Sequence, residues 1–409
     1  MKTPSKNIFS GLKVVDFASY IAGPAAATIL SDFGADVIKI EPPRTGDPYR
    51  YFGKIAPNPV CDFNYAWQLT NRNKRSMAID LKSPEAKMVV ERLVAWADVV
   101  IINFPPKVKA RLGLTYEALS AINPRLIYAD ITGYGELGPE ADKPGFDITA
   151  YWARSGLMQV TRDAGCPPTL PVPGIGDHAT AVSLYASIVT ALYSRERTGK
   201  GDHVFTSLIA EGAWAAASWI EGALHGGKFY PQHDRTCPPN ALLNTYRTAD
   251  DRWLILVAPQ PKDWADVAKA IGRADLIDDV RFADPASRAA NASELVSILD
   301  PIFGSQSLAS WKATLDAARV IFGVVQVAQE IINDPQMFAN DVFVPLKEPA
   351  GGVTHTVNSP VSVAGFAKTQ PGRAPALGQH GSEVLADLGF SAVEIEALHD
   401  SDVVARFAA

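Results

Sequence analysis

The sequence predicts an α/β fold with a parallel sheet and a second, smaller domain. Short runs of β-branched or apolar residues occur at 14–17, 37–40, 99–102 and 126–131, and segments of helical character separate most of them. This alternation is typical of a parallel sheet whose strands are joined by helices. The chain has 409 residues, more than a single hydrophobic core usually supports, so we expect two domains.

Helix signals lie between and after these runs. Pro24 suits the first turn of a helix at 24–33, and Gly34 suits its C-terminal cap. Residues 180–197 and 207–224 are alanine-rich and are predicted as long helices, with a short strand between them.

The composition changes near Gly226, where glycines and prolines replace the alanine-rich pattern. A β-hairpin with an aspartate-rich turn is predicted soon afterwards, at 246–257. We therefore place a domain boundary at this change. The predicted division is a large domain of residues 1–200 and 326–409, a linker helix at 201–225 and a small α+β domain at 226–325.

Composition excludes several functional classes. The 38 basic and 44 acidic residues give a net charge of −6, which provides no overall attraction to nucleic acid. No apolar stretch approaches the roughly 20 residues that cross a bilayer, and the N-terminus lacks the apolar core of a secretory signal, so we expect a cytoplasmic protein. Cys61, Cys166 and Cys237 lack disulfide or zinc-site spacing, and no bound metal is expected.

Asp177 is the sharpest candidate for chemistry. Gly174 and Gly176 precede it, and the predicted helix at 180–197 begins just after it. One interpretation makes Asp177 the N-cap of that helix. In the other, the helix N-terminus keeps the carboxylate ionised, the glycines make room for a bulky substrate, and Asp177 attacks an activated acyl group. Local pattern leaves both open, and the neighbouring His178 is interpreted as structural.

Two basic clusters are candidates for a phosphate site. One lies at 71–75, and the other comprises Lys107, Lys109 and Arg111 after the predicted strand at 99–102. Ligands of open α/β sheets bind beyond the carboxyl ends of strands, so these clusters suit the phosphates of a 3′-phospho-ADP group. A solvated basic surface is the alternative.

Familiar nucleotide and hydrolase motifs are missing. The turn after the first predicted strand, 18–24, has one glycine rather than the three that bring the backbone against a dinucleotide pyrophosphate, so NAD binding is disfavoured there. The sequence also lacks the motifs of P-loop nucleotide hydrolases, zinc proteases and serine esterases. These absences argue against several classes of enzyme but do not identify a reaction.

The opening of the chain resembles that of class III CoA-transferases at residues 11–17, 22–24 and 32–41. Later motifs follow in the order of that family over nearly the whole chain. They are Asn73-Lys74-Arg75-Ser76, Thr132-Gly133-Tyr134-Gly135, Gly145-Phe146-Asp147, Gly176-Asp177, Arg197-Thr198-Gly199-Lys200-Gly201 and Leu377-Gly378-Gln379-His380.

This resemblance implies a Rossmann-like large domain built from both chain ends and a homodimer of two interlocked subunits. It also implies an enzyme that moves CoA from an acyl-CoA thioester to a carboxylic acid. Asp177 would form first a mixed anhydride with the acyl group and then an aspartyl-CoA thioester. CoA and acyl-CoA are then substrates, and no permanently bound cofactor is expected.

The resemblance also assigns binding roles to individual positions. Phe146, Asp147 and Gly176 would lie near the acyl end of the substrate. The residues expected to hold CoA are Ser19, Tyr20, Ile21, Ala22, Arg72, Asn73, Lys74, Arg75, Asn103, Phe104 and Arg111.

Within the superfamily, α-methylacyl-CoA racemases are the alternative. They carry a histidine where this chain has Phe146, so exchange of protons between two bases is disfavoured here. The glycine-rich flap of formyl-CoA transferases is also missing. Residues 145–150 and 172–178 are more similar to the branch that acts on 2-hydroxy acids such as phenyllactate and 2-hydroxyisocaproate.

Overall fold

A computed structural model describes residues 7–229, 231–260, 262–350 and 352–407. The chain forms two compact units, and each draws on more than one stretch of sequence. The first comprises the residues up to Leu157, Leu170–Glu221 and those from Gln336 onwards. The second comprises Met158–Thr169 and Gly222–Pro335.

The first unit contains a six-stranded sheet in which all neighbouring strands are parallel. Its strand order, β3-β2-β1-β4-β5-β6, is that of doubly wound folds, which bind ligands where the order reverses, here between β1 and β4. The predicted parallel α/β sheet is confirmed. The strands are β1 Lys13–Asp16, β2 Asp36–Glu41, β3 Lys74–Ala78, β4 Val99–Ile102, β5 Ile127–Thr132 and β6 Asp202–Ser207.

The remaining strands form two small antiparallel sheets. In the second unit the predicted hairpin is present and a third strand joins it, whereas a separate two-stranded sheet lies in the first unit. These strands are β7 Leu243–Arg247, β8 Trp253–Val257, β9 Phe322–Val324, β10 Phe343–Ala350 and β11 Val353–Val357.

Helices connect and flank these strands. Short 3₁₀ segments also occur at Pro48–Lys54 and Ala274–Ile277, and a π-helical segment at Ile148–Ala153. The α-helices are α1 Ala22–Asp32, α2 Tyr65–Asn71, α3 Ala86–Trp96, α4 Pro106–Leu112, α5 Tyr116–Ile122, α6 Leu157–Val160, α7 Ile175–Thr198, α8 Leu208–Ala215, α9 Ala217–Leu224, α10 Asp263–Ala270, α11 Pro285–Ala290, α12 Ala292–Phe303, α13 Leu308–Ala317, α14 Ala328–Ile331, α15 Pro335–Ala339, α16 Gly381–Asp387 and α17 Ala392–Asp400.

Helices cover both faces of the parallel sheet. On one face, side chains of α3, α5, α16 and α17 join a core that includes Val15, Val100 and Tyr128. On the other face, α1 and α7 pack against Val14 and Ile101. Burial on both faces explains why most of these strands are nearly continuous apolar runs.

The second unit has its own core. Tyr246 stacks on Phe303 with ring centroids 4.7 Å apart, and Trp311 packs against Phe303 at 5.0 Å. The indole N–H of Trp311 donates to the Phe303 carbonyl oxygen at 2.8 Å, which satisfies its polar atom inside the core.

Two expectations differ from this architecture. Residues 202–207 were assigned to a linker helix, although a short strand was also predicted between the two alanine-rich helices. They form β6, which pairs with β5 along its whole length, so the predicted strand is confirmed and the linker helix does not begin at residue 201. The C-terminal residues supply helices α16 and α17 to the first unit, whereas all six strands of its parallel sheet lie before residue 208. The sheet itself is therefore not built from both chain ends. No described helix is long and apolar enough to span a membrane.

Candidate active site

The start of α7 determines where Asp177 lies. The helix begins at Ile175 and its N-cap is Gly174, which has a φ of +96°. A side chain at Gly174 would be strained at that angle, and its Cβ would lie 2.9 Å from Ile21 Cδ1. Asp177 is therefore the third residue of the helix, and the interpretation of Asp177 as N-cap is wrong.

Gly176 lets the first turn of α7 approach an aromatic ring. A Cβ at this position would lie 2.5 Å from Tyr151 Cγ, closer than atoms can pack. We expected both glycines to make room for substrate. Gly176 instead makes room for Tyr151, although Gly174 does border a cavity.

Asp147 also fixes the start of α7, although it lies outside this helix in the sequence. Its Oδ2 accepts the backbone N–H of Gly174 at 2.7 Å, and its Oδ1 accepts the N–H of Ile148 at 2.7 Å. The side chain is almost fully buried. Asp147 thus holds together the π-helical segment and the N-terminus of α7.

The carboxyl group of Asp177 titrates near neutral pH. Burial raises its pKa to about 7, and the negative charge of Asp147 adds to the shift. The N–H groups of the first helical turn oppose these effects without cancelling them. Near neutral pH both the carboxylate and the neutral acid are therefore populated.

A cavity of about 210 Å³ opens beside Asp177 at the carboxyl ends of β1, β4 and β5. Cavities that enclose drug-sized ligands measure about 300 to 1,000 Å³, so this one suits a short acyl group rather than the whole of CoA. It brings together several residues predicted from sequence. They are Ser19, Tyr20, Ile21, Ala22, Asn103, Phe146, Asp147 and Asp177.

Other residues of the cavity wall were missed. Phe52, Thr132 and Leu208 lie at the cavity and come from three separate segments of the chain. Thr132 ends β5, so the rule that ligands bind at strand ends could have found it. Phe52 lies in the 3₁₀ segment at Pro48–Lys54, and no local pattern marks it as a cavity residue.

Asn103 lies at the cavity and also binds the backbone of the loop after β1. Its Oδ1 accepts the N–H of Ser19 and its Nδ2 donates to the Ser19 carbonyl, both at 2.9 Å. Asn103 follows β4 and Ser19 follows β1, so the pair joins the two strands at the point where the sheet order reverses. Asn103 therefore holds the loop after β1, and its role in holding CoA stays a prediction.

The basic side chains of residues 72–75 form ion pairs with acidic side chains of the same chain. Arg72 is 1% exposed and makes two hydrogen bonds to Asp32, at 2.9 and 2.7 Å. Lys74 Nζ donates to Asp16 Oδ2 at 2.9 Å, and burial lowers the pKa of Lys74 to about 8. Both charges are neutralised by aspartates away from the cavity wall, which corrects the expectation that they face CoA phosphates.

The other residues expected to contact CoA do not line the cavity beside Asp177. Arg75 pairs with Asp36, Glu383 and Asp387. Asn73 Oδ1 accepts the N–H of Gly372 at 2.7 Å, and Phe104 packs against the core beneath α3. Arg111 borders a separate groove between α3 and α5.

His178 lies at a different cavity from Asp177. Arg72 and Asn358 also border that cavity, whose volume is about 500 Å³. Burial lowers the pKa of His178, so the ring is neutral near pH 7. The structural role of His178 stays a prediction.

One group of side chains could reach a metal ion in the described part of the chain. Asp130, Glu136 and His203 bring ligand atoms within 4.8 Å of one another. The Lys109 ammonium contacts Asp130 and lies 3.9 Å from Glu136. Because a lysine already neutralises this site, we assign no metal to it.

The strand order is that of doubly wound α/β proteins, which bind ligands at the carboxyl ends of their strands, and Asp177 lies at the cavity found there. The chain belongs to CoA-transferase family III, whose model matches residues 9–381. Membership of this family supports CoA transfer as the activity of the protein.

Individual relatives match over almost their full length. The cinnamoyl-CoA:phenyllactate CoA-transferase of Clostridium sporogenes is 34% identical over 406 residues, 98% of each chain. The (R)-2-hydroxy-4-methylpentanoate CoA-transferase of Clostridioides difficile is 34% identical over 399 residues, 97% of this chain and 99% of that one. A crystal structure of a CAIB/BAIF family protein from Brucella suis is 31% identical with a TM-score of 0.83, covering 94% of this chain and all of that one.

Proposed function

We propose that this protein transfers CoA from an acyl-CoA to a carboxylic acid through covalent intermediates on Asp177. The observation that carries the proposal is the position of this carboxylate. It projects from the first turn of α7 at the cavity where the sheet order reverses, and Asp147 holds that turn in place.

In the first half of the cycle, an Asp177 carboxylate oxygen attacks the thioester carbonyl carbon of the donor. The C–S bond breaks, CoA leaves as its thiolate, and an acyl-aspartyl anhydride forms. The thiolate then attacks the carbonyl carbon of the Asp177 side chain. The donor acid leaves as its carboxylate, and an aspartyl-CoA thioester remains.

The second half reverses these steps with the acceptor. The acceptor carboxylate attacks the aspartyl thioester and releases the thiolate, which then attacks the acceptor acyl carbon of the new anhydride. The product acyl-CoA forms and the Asp177 carboxylate is regenerated. Each step exchanges one acyl bond for another, so no ATP is consumed.

For the acceptor, we propose a 2-hydroxy acid or a related organic acid. The two 34% identical relatives are named for phenyllactate and for 2-hydroxy-4-methylpentanoate, which are both 2-hydroxy monocarboxylic acids. The cavity volume of about 210 Å³ is compatible with acids of this size.

Racemisation is the alternative on the same scaffold, and the cavity favours it less. Removing and returning an α-proton on opposite faces requires two bases. The described residues at this cavity include Asp147 and Asp177 but no histidine, and both oxygens of Asp147 accept backbone N–H groups. Deuterium incorporation at the α-carbon in heavy water, without CoA transfer, would support the racemase instead.

We also propose that the protein assembles as a homodimer. Trp214 on α8 is 77% exposed and Phe205 on β6 is 61% exposed. Large aromatic side chains at the surface are common where another chain packs. Sedimentation equilibrium tests this assembly, because a monomer at all concentrations contradicts it.

The test of the covalent mechanism is intact-protein mass spectrometry after incubation with an acyl-CoA. We expect a CoA adduct on the wild-type protein that sodium borohydride or hydroxylamine removes, and none on Asp177→Ala or Asp177→Asn. Asp163→Asn provides a control aspartate outside the cavity. A variant without Asp177 that transfers CoA at the wild-type rate would disprove the mechanism.

A further inference from the structure

The loop after β1 is held from two sides. Asn103 bonds both backbone groups of Ser19, as described above. From the other side, Asp47 Oδ1 accepts the backbone N–H of Tyr20 at 3.1 Å. The Lys39 ammonium lies 3.2 Å from Asp47 Oδ2 and also donates to the Ala18 carbonyl. Since Lys39 and Asp47 are fully buried, these contacts fix the loop from the interior of the protein.

This double restraint gives Tyr20 an unusual backbone. Its φ is +66°, in the left-handed region that aromatic residues rarely adopt. The conformation directs the Tyr20 ring towards Phe146, with centroids 5.5 Å apart and an interplanar angle of 86°. The two rings form an edge-to-face pair at the cavity that contains Asp177, and they remain 38% and 55% exposed.

The rest of the cavity wall determines what these rings can accept. Ile21, Phe52 and Leu208 add apolar surface. Among the described residues at this cavity, the charged ones are Asp147 and Asp177, and none is a lysine, arginine or histidine. A second carboxylate on a substrate would enter a site that holds the carboxyl groups of Asp147 and Asp177 and, among its described residues, no cation to pair with it, which disfavours binding.

We propose that Tyr20 and Phe146 determine substrate specificity by packing against the apolar side chain of the acyl group. They select monocarboxylic acids with aryl or branched alkyl groups over dicarboxylic acids. Asn103 and Asp47 are positioning residues, because they act through the conformation of Tyr20. This inference rests on the proposed CoA-transferase function and names the substrate class of that site.

Isotope self-exchange tests the selectivity without knowledge of the natural donor. Each acyl-CoA is incubated with its own ¹³C-labelled free acid, and label entering the thioester is measured by mass spectrometry. The probes are 3-phenylpropanoyl-CoA, 4-methylpentanoyl-CoA and glutaryl-CoA. The wild-type protein is expected to exchange the first two with kcat/KM at least about tenfold above glutaryl-CoA.

Tyr20→Ala and Phe146→Ala are each expected to lower the ratio of 3-phenylpropanoyl to glutaryl exchange by about tenfold, mainly through a higher KM for the aryl acid. Tyr193→Ala removes an exposed aromatic ring from α7 outside the cavity and is expected to leave the ratio unchanged. An unchanged ratio in both cavity variants overturns the assignment of Tyr20 and Phe146.

Asn103→Ala tests the positioning role. It releases Ser19 and is expected to lower the same ratio. Asn123→Ala is the matched control, because the Asn123 amide also donates to backbone carbonyls, those of Val94 and Ala97, at 3.1 and 2.8 Å. If both variants lose thermal stability and neither changes the ratio, Asn103 is only structural and its positioning role is overturned.

Failure of the specificity assignment can be distinguished from failure of the proposed CoA-transferase function. Exchange of glutaryl-CoA at or above the rate of the apolar acids overturns the specificity assignment while CoA transfer itself stands. Lack of exchange with every probe, together with lack of a CoA adduct on Asp177, overturns the proposed function and the specificity assignment with it.

Discussion

Asp147 Oδ2 accepts the backbone N–H of Gly174 at a distance of 2.7 Å. This bond joins a buried carboxylate to the residue that caps α7, three positions before Asp177. Asp147 therefore acts on Asp177 in two ways: it fixes the turn that presents the carboxyl group, and its charge raises the pKa of that group.

Asp147→Asn separates these two effects. The loss of negative charge is expected to lower the pKa of Asp177, so the pH midpoint of kcat/KM shifts downwards. An amide accepts only through its oxygen, so one of the two bonds to Gly174 and Ile148 is weakened. We expect a stability loss of about 1 to 3 kcal/mol in chemical denaturation. A pH profile identical to that of the wild type would contradict the electrostatic role.

The pH dependence of the wild-type enzyme follows from the pKa of Asp177, which is about 7. The neutral acid is a poor nucleophile, so activity is expected to rise with pH and to reach half its maximum at about pH 7. The measurement is kcat/KM for an acyl-CoA between about pH 5 and pH 9, because the pH dependence of kcat/KM reports the titration of the free enzyme. A midpoint near the ordinary aspartate value of about 4 would show that burial does not control this group.

Much of the sheet was predictable because buried parallel strands are apolar throughout. Four strands, β1, β2, β4 and β5, match predicted runs, and most of their residues are buried. β3 was missed because Lys74 and Arg75 make it polar in sequence. Their charges are compensated by Asp16 on β1 and Asp36 at the start of β2, and local sequence does not reveal such distant partners.

The candidate site was predictable only in part for a similar reason. The glycines before Asp177 marked the correct turn, and the resemblance to a family placed Phe146 and Asp147 beside it. The bond between Arg72 and Asp32 joins residues 40 positions apart, so Arg72 looked available for phosphate. Composition identifies cations, whereas only the folded chain shows which of them are already paired.

Asp177→Asn tests the cost of keeping this carboxyl group in its site. The folded-state pKa of Asp177 is about 7, above its value in the unfolded chain. The contribution of this group to the stability of the folded protein is therefore fully present below the unfolded pKa and is lost as the pH rises through 7. The amide resembles the neutral acid, so the variant is expected to be inactive yet more stable at about pH 8, by up to about 4 kcal/mol. At about pH 4 its stability should equal that of the wild type. Denaturant unfolding at both values measures this, and equal stability at about pH 8 would argue against the raised pKa.

Arg72→Gln distinguishes a structural ion pair from a phosphate contact. The substitution leaves Asp32 buried without its cation, and we expect a loss of about 3 to 5 kcal/mol. Arg72→Gln combined with Asp32→Asn should recover part of that loss, since the uncompensated charge is gone. For any variant that remains folded, the KM for acyl-CoA should stay within about twofold of the wild-type value. A large rise in KM without a loss of stability would return Arg72 to the CoA site.

Gly176→Ala tests how closely α7 must approach Tyr151. A methyl group at this position would lie 2.5 Å from Tyr151 Cγ and 2.7 Å from Tyr151 Cβ, so the helix start must move. We expect a stability loss of about 1 to 3 kcal/mol from overpacking. We also expect a fall in kcat of about a hundredfold, because the displaced Asp177 no longer reaches the thioester carbon. Gly365→Ala is the matched control, since no atom lies within 4 Å of its added Cβ. Unchanged kcat in a destabilised Gly176→Ala variant would mean that this contact supports the fold without positioning the nucleophile.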